Sequence, residues 1–334
     1  MEPRVSVLLP VRDAAATLPA CLDSLLGQTL ADFEVVAVDD GSSDASSGLL
    51  ARAAAGDPRL RVQRRAHRGL VAALNAGLAV ARAPLLARMD ADDVAHPERL
   101  EQQVRRFDAC PTLDVLGTCV ALRRDEPGGE GMQAYVAWSN GLLDHDAIVR
   151  DLFVEAPLVH PSVMLRREAL TAVGGYRDFP GPEDYDLWLR GWRAGWRFAK
   201  TPATLLEWRE SPHRLTRRDP RYAAERFLAL KADVLCATHL APERPAVIWG
   251  AGRIGKAWAR ALGARQRHVA AFVEVDRRKI GQRPYGVACL GVDDALPRGA
   301  LHLAAVGQPG ARQRIREVAG ARGLREPDDL VAVA

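Results

Sequence analysis

Residues 87–100, ARMDADDVAHPERL, set three carboxylates, Asp90, Asp92 and Asp93, directly after an apolar run. Ionised carboxylates repel one another and resist burial unless a cation or a hydrogen-bond donor compensates them. A second acidic cluster, VDDGSSD at 38–44, closes another apolar run. Carboxylates that face one crevice can hold a hard divalent cation through oxygen ligands. Such an ion can bridge a diphosphate and stabilise the charge that develops as it leaves. Breaking a sugar–phosphate bond creates that charge on a nucleotide diphosphate, so the pattern suits chemistry on a nucleotide-sugar. A plainer reading competes: D-x-D triplets arise by chance, and acids ahead of a helix serve as caps and first-turn residues. On that reading Asp93 caps a helix beginning near His96–Pro97.

The elements that must carry these acids alternate. VSVLLPV reads as a strand, ATLPACLDSLLGQT as a helix with Leu18, Cys21, Leu22, Leu25 and Leu26 on one face, and FEVVAVDD as a strand. ASSGLLARAAA (helix), RLRVQRR (strand), GLVAALNAGLAVA (helix) and APLLARMD (strand) follow. This alternation implies an α/β fold with a mainly parallel sheet flanked by helices. Ligands then collect outside the carboxyl ends of the strands, where Asp39, Asp40, Asp90 and Asp92 fall. From about 100 to 220 the pattern is less regular: EQQVRRFDACP reads as helix, PTLDVLGTCVALRR as strand, DEPGGEG as a loop, and EDYDLWLRGWRAG as helix.

Four stretches, VSVLLPVRDAAATLPACLDSLLGQTLADFEVVAVDDGSSD, LNAGLAVARAPLLARMDADD, HPSVMLRREALTAVGGYRD and GPEDYDLWLRG, together resemble family 2 glycosyltransferases of the GT-A fold. They stand in the family's order over about residues 4–215. The resemblance implies an inverting, metal-dependent transfer from a nucleotide-diphosphate sugar to a hydroxyl acceptor, a glycan or lipid-linked molecule, in surface polysaccharide or glycoconjugate synthesis. It implies that Pro10, Arg12, Asp39 and Asp40 line the nucleotide pocket. Asp92 becomes the main ligand of a divalent metal, Mn²⁺ or Mg²⁺, and Asp90 contacts donor ribose or metal. Asp184 becomes the catalytic base with Glu183 as its acidic neighbour; the plainer alternative for both is helix-start acids favoured by the dipole.

EWRESPHRLTRRDPRY, at 207–222, adds a basic segment. Arginine suits diphosphate recognition because its planar fork donates two hydrogen bonds. Arg209 and Arg214 are donor-binding candidates and His213 a weaker metal candidate; a solvated basic surface is the alternative. His160 is either an acceptor-side or a structural residue. Trp188, Trp192 and Trp196, at i, i+4 and i+8, read as a packing stripe. Trp138 and Trp208 are the better candidates for sugar contact.

A new pattern opens at AVIWGAGRIGKAWARAL: an apolar strand, Gly250, Gly252 and Gly255 in G-x-G-x-x-G spacing, then a helix. HVAAFVEVD ends in Glu274 and Asp276 at the distance expected of a Rossmann-like unit. The remainder is short for a dehydrogenase. The layout resembles the small N-terminal Rossmann-like domains of bacterial sugar acyltransferases, which implies a bound nucleotide or nucleotide-sugar held by Gly250, Gly252, Gly255 and Glu274. The expected organisation is 1–220 as a GT-A domain, 221–243 as a helical linker and 244–334 as a Rossmann-like accessory domain.

Composition narrows the classes. The 334 residues are 48% apolar, with a net charge of +4 and four lysines, so neither disorder nor a nucleic-acid footprint is expected. Five scattered cysteines without a C-x-x-C pair fit a reducing compartment rather than a zinc site. No apolar run approaches the roughly 20 residues of a membrane span, and the N-terminus is unlike a signal peptide. A cytoplasmic protein follows, with contact at the inner membrane face and the oligomeric state left open. Two other functions compete: a redox enzyme working through the second domain, and a non-catalytic nucleotide-sugar scaffold.

Overall fold

A computed structural model describes residues 2–124, 129–211 and 214–334. It contains two compact units, 1–148 with 157–218, and 149–156 with 219–334.

In the first unit the apolar runs form the buried strands β1 (Val5–Val11), β2 (Phe33–Asp39) and β4 (Leu85–Arg88), while β3 (Leu60–Arg64), at the sheet edge, buries only Leu60 fully. Continuous apolar sequence is what a doubly covered parallel strand requires. Four further strands, β5 (Val94–Ala95), β6 (Val115–Arg124), β7 (Met164–Arg166) and β8 (Phe198–Glu210), complete an eight-stranded sheet of order β3-β2-β1-β4-β7-β6-β8-β5. The first four strands in that order run parallel, as β6 and β8 do, while β7 and β5 are antiparallel to their neighbours.

Register brings the acids to one edge. Val11 sits opposite Asp39, and the Asp40 N–H donates to the Val11 carbonyl at 2.9 Å. Leu8 sits opposite Arg88, and the Met89 N–H donates to the Leu8 carbonyl at 3.1 Å. The ends of β1, β2 and β4 therefore share a crest. The buried Glu34 of β2 is satisfied by Ser6, Arg61 and Arg82, which hold its carboxyl down at about 2 against the opposing effect of burial.

Two readings of local structure are corrected. Asp93 caps no helix: Val94 and Ala95 form a strand paired with Glu207 and Leu206, and the next helix is Arg99–Ala109 behind Glu98. Trp196 lies beyond its helix, which ends at Arg193, and its ring folds back on Gly191, where a Cβ would lie 2.0 Å from it. Trp188 and Trp196 are buried, so packing remains their role.

The second unit holds five parallel strands, β9 (Ala246–Trp249), β10 (Val269–Glu274), β11 (Ala288–Gly291), β12 (Leu301–Ala304) and β13 (Leu330–Ala332), in the order β11-β10-β9-β12-β13. The helix Ala224–Thr238 belongs to this unit, as does the short segment 149–156. Asp151 fastens that segment by accepting from Arg312 at 3.0 Å and from Arg316 at 2.5 Å.

Candidate active site

The loop after β4 brings Asp90, Asp92 and Asp93 together, with one carboxylate oxygen of each within 4.8 Å of the others. Asp93 is fully buried; its Oδ1 accepts the Arg209 N–H at 2.8 Å, and its Oδ2 has no hydrogen-bond partner. Burial, then the charge of Asp90, raises the carboxyl of Asp92 above the usual carboxylate range. Burial and the charges of Asp90 and Asp92 raise Asp93 further, while Arg214 opposes both shifts. An oxygen-only donor set with an orphaned buried oxygen and mutually repelling charges fits a hard divalent cation. Asp93 joins the site although the sequence pattern casts it as a helix cap. Its distance from Pro97 was the available signal, because a residue four positions ahead of a helix's first residue cannot cap it.

Beneath this cluster the polar groups are hydrogen-bonded to the scaffold. Arg99 is 1% exposed and donates to the Arg88 carbonyl at 2.8 Å, to Met89 Sδ at 3.3 Å and to Gln103 Oε1 at 3.3 Å. Burial lowers its pKa to about 10. The Cys21 thiol donates to the Asp90 carbonyl at 3.3 Å. Arg88, 3% exposed, is ion-paired with Asp90 Oδ1.

Along the same crest, Asp39 and Asp40 organise loops. Asp39 accepts from the Ser42 N–H at 2.9 Å and from the Ser47 hydroxyl. Asp40 accepts from the Arg68 N–H at 3.0 Å, the Gly69 N–H at 2.8 Å and His67 Nδ1 at 2.7 Å. A carboxylate only accepts, so Nδ1 donates to Asp40, and the Arg12 guanidinium lies against the same ring. Gly41, at φ 76°, permits this approach: a Cβ there would lie 2.8 Å from the main-chain nitrogen of His67. Pro10, half-buried near the end of β1, lies opposite Val38. His67 was not foreseen, since nothing local links it to an acid 27 positions earlier.

Asp184 is half-buried in the first turn of the helix Glu183–Arg193, its Oδ1 accepting the Tyr185 N–H at 2.7 Å. Glu183 is 3% exposed. Asp186 is spent on Arg190 at 2.6 Å and Arg177 at 3.5 Å. His160 packs edge-on against Trp188, with Nε2 3.1 Å from the Tyr176 hydroxyl and Nδ1 3.9 Å from Glu183 Oε1. Burial, reinforced by Arg88, pushes its pKa well below the ordinary histidine value, so the ring is neutral.

Arg214 lies over the Trp208 ring, 4.3 Å from its centroid, with a side chain 9% exposed. Trp208 is itself buried and 6.0 Å from the Tyr135 ring. It is a platform for the guanidinium, not an open face for sugar. Trp138 lies 5.8 Å from the same Tyr135 ring. His213 lies outside the described residues.

In the second unit, Gly255 permits helix-to-strand packing, since a Cβ there would fall 1.8 Å from the Gly250 carbonyl oxygen. Gly250 adopts φ 100°, and Gly252 has open space where a Cβ would be. Glu274 is turned onto its own loop, accepting from the Ala251 N–H and from Lys279 Nζ, each at 2.8 Å.

The sequence profile of glycosyl transferase family 2 matches residues 6–174, half of the chain. This protein is a family 2 glycosyltransferase. The amylovoran biosynthesis glycosyltransferase AmsE of Erwinia amylovora is 32% identical over 216 residues, covering 64% of this glycosyltransferase and 79% of AmsE. In solved structures, S. aureus TarS in complex with UDP-GlcNAc superposes with a TM-score of 0.56 at 17% identity, covering 71% of this chain and 67% of that one. The mannosyltransferase PcManGT of Pyrobaculum calidifontis, in complex with GDP-Man and Mn²⁺, gives 0.50 at 21% identity over 70% of this chain and 62% of its own. At these identities the two structures establish shared fold alone. Among the described residues of the glycosyltransferase, no helix is long and apolar enough to cross a membrane.

Proposed function

We propose that the protein is an inverting, metal-dependent glycosyltransferase that moves a sugar from a nucleotide-diphosphate sugar to a hydroxyl acceptor in polysaccharide or other glycoconjugate assembly at the cytoplasmic side. The observation that carries this reading is the gathering of Asp90, Asp92 and Asp93 within 4.8 Å at the end of a parallel strand. The GDP-Man and Mn²⁺ in complex with PcManGT and the UDP-GlcNAc in complex with TarS favour it.

Asp92 and Asp93 would hold the divalent cation, which supplies charge stabilisation for the departing diphosphate. Arg214, stacked and largely desolvated, would donate to the diphosphate oxygens. Arg12, His67 and Asp40 shape the nucleotide end, with Pro10 and Asp39 setting the backbone around them. Asp184 accepts the proton of the acceptor hydroxyl as that oxygen attacks the anomeric carbon, and the sugar–phosphate bond breaks with inversion. Glu183, buried beside it, is its acidic neighbour in the same first turn. The second unit is read as an accessory domain. Glu274, committed to its own loop, gives the redox alternative no support.

The test is turnover across UDP-, GDP- and dTDP-sugars, read as released nucleoside diphosphate with Mn²⁺, Mg²⁺ or EDTA. One donor turned over only with metal, and lost in Asp184→Asn, supports the reading. Turnover of no donor, or turnover indifferent to EDTA, contradicts it.

A further inference from the structure

The positive charge of the chain is concentrated in one stretch of the second unit. Residues 253–283 carry nine lysines and arginines against two acids, whereas the whole chain carries only +4, so the remainder is net acidic. Part of this charge serves the fold: Arg265 and Arg267 donate to the Ala229 and Leu240 carbonyls at 2.9 and 3.0 Å. The two acids are also taken, Glu274 by Lys279 at 2.8 Å and Asp276 by Arg278 at 3.1 Å. Arg253, Lys256, Arg260, Arg277 and Arg283 remain, and among the described residues none of these five pairs with a carboxylate.

Helical geometry puts three of them on one face. At about 100° per residue, Arg253, Lys256 and Arg260 fall within about 60° of one another in the helix Arg253–Gly263, opposite the buried Gly255, Trp258 and Leu262. The loop between β10 and β11 adds Arg277 and Arg283, and with them three exposed apolar side chains: Val275 at 78%, Tyr285 at 57% and Ile280 at 37%. Tyr285 joins loop to helix, since its hydroxyl accepts from Arg260 at 2.6 Å and its ring centroid lies 5.8 Å from that guanidinium. It does so at φ 57°, a strained backbone for an aromatic residue, and its ring still faces solvent.

We propose that this face, the helix Arg253–Gly263 with the loop 275–285, docks the protein on an anionic phospholipid surface. The mixture of side chains selects that partner. A bilayer interface takes apolar tips into the headgroup boundary while basic groups meet lipid phosphates. A nucleic acid or an acidic glycan offers the same charge but gives Val275 and Ile280 nothing apolar to enter, and a single-stranded nucleic acid calls for several stacking rings where this face has one. The inference does not depend on the transfer reaction.

The test sediments the whole protein with vesicles of phosphatidylcholine alone, or with about 30% phosphatidylglycerol added to supply anionic headgroups. Heparin binding is measured alongside. Anionic vesicles should bind at least about tenfold more tightly than neutral ones at about 0.1 M salt, and most of that difference should vanish at about 0.5 M as screening tightens. A basic side chain near an anionic leaflet contributes roughly fivefold, so the triple variant Arg253→Gln, Lys256→Gln, Arg277→Gln should weaken vesicle binding by about 30- to 100-fold. Arg105→Gln with Arg106→Gln, exposed on a helix of the first unit, should leave it within about twofold. Val275→Ser with Tyr285→Ser should weaken vesicle binding by about tenfold and leave heparin binding unchanged, because only a bilayer buries those side chains. No binding to anionic vesicles, equal binding to neutral ones, or indifference to the triple variant overturns the proposal. So does a Val275/Tyr285 variant that loses heparin and vesicles alike, which would make the face a general polyanion site.

Discussion

The fully buried carboxylate of Asp93 accepts the main-chain N–H of Arg209 at 2.8 Å, and so ties the acidic loop after β4 to the end of β8. One oxygen of Asp93 thus builds the site while the other, without a hydrogen-bond partner, faces like charges. Burial and those charges raise its carboxyl, so a negative charge on Asp93 is disfavoured in the metal-free protein. Asp93→Asn keeps an oxygen for Arg209 and removes the charge. The metal-free melting temperature should rise by a few degrees, and Mn²⁺ affinity should fall by at least about tenfold. A lower melting temperature with unchanged Mn²⁺ affinity would count against this division of roles.

Asp184 is placed to be tested by a replacement that preserves shape. Asp184→Asn retains an acceptor for the Tyr185 N–H and loses the base. Turnover should fall by about 10²- to 10⁴-fold with nucleotide affinity unchanged, as expected for general base catalysis. Loss of nucleotide affinity in parallel would point to a structural first-turn acid.

Trp208 and Arg214 form a stacked pair, so the two residues should fail in the same way. Arg214→Ala should weaken a bare nucleoside diphosphate by about tenfold. Trp208→Leu should weaken it by a few-fold, with Mn²⁺ affinity little changed, since cation–π stacking contributes about 0.5–2 kcal/mol. Were Trp208 a sugar platform, its loss would weaken only the sugar-bearing donor.

Glu34 gives a pH-dependent stability signature remote from the site. Ser6, Arg61 and Arg82 lower its carboxyl to about 2 despite burial. A depressed folded pKa contributes stability that is complete above the unfolded value near 4.3 and is lost as pH falls toward 2. Glu34→Gln should cost about 1–3 kcal/mol at pH 7, and the difference from the unmodified protein should shrink between pH 4.5 and 2. A difference that stays constant across that window would show that its charge is immaterial.

Legibility in the sequence followed the physics of each feature. β1, β2 and β4 are plain because burial on both faces demands apolar runs, and the ends of β2 and β4 bring Asp39, Asp40, Asp90 and Asp92 to one edge. The antiparallel β5 and β7 are two and three residues long, too short to show a period. The Asp40–His67 bond depends on a chain reversal, and the burial of Trp208 on which rings close over it. Glu274 stood at the expected spacing, but spacing does not reveal that Ala251 and Lys279 take up its carboxylate.

The central claim is that a cation held by the acidic loop recruits a nucleoside diphosphate. Calorimetric titration of UDP, GDP and dTDP into the protein with and without Mn²⁺, alongside Asp92→Ala, tests it most directly. Micromolar-range binding of one nucleotide that appears only with Mn²⁺ and vanishes in Asp92→Ala is the predicted result. Binding that ignores Mn²⁺, or that survives Asp92→Ala undiminished, would contradict the account.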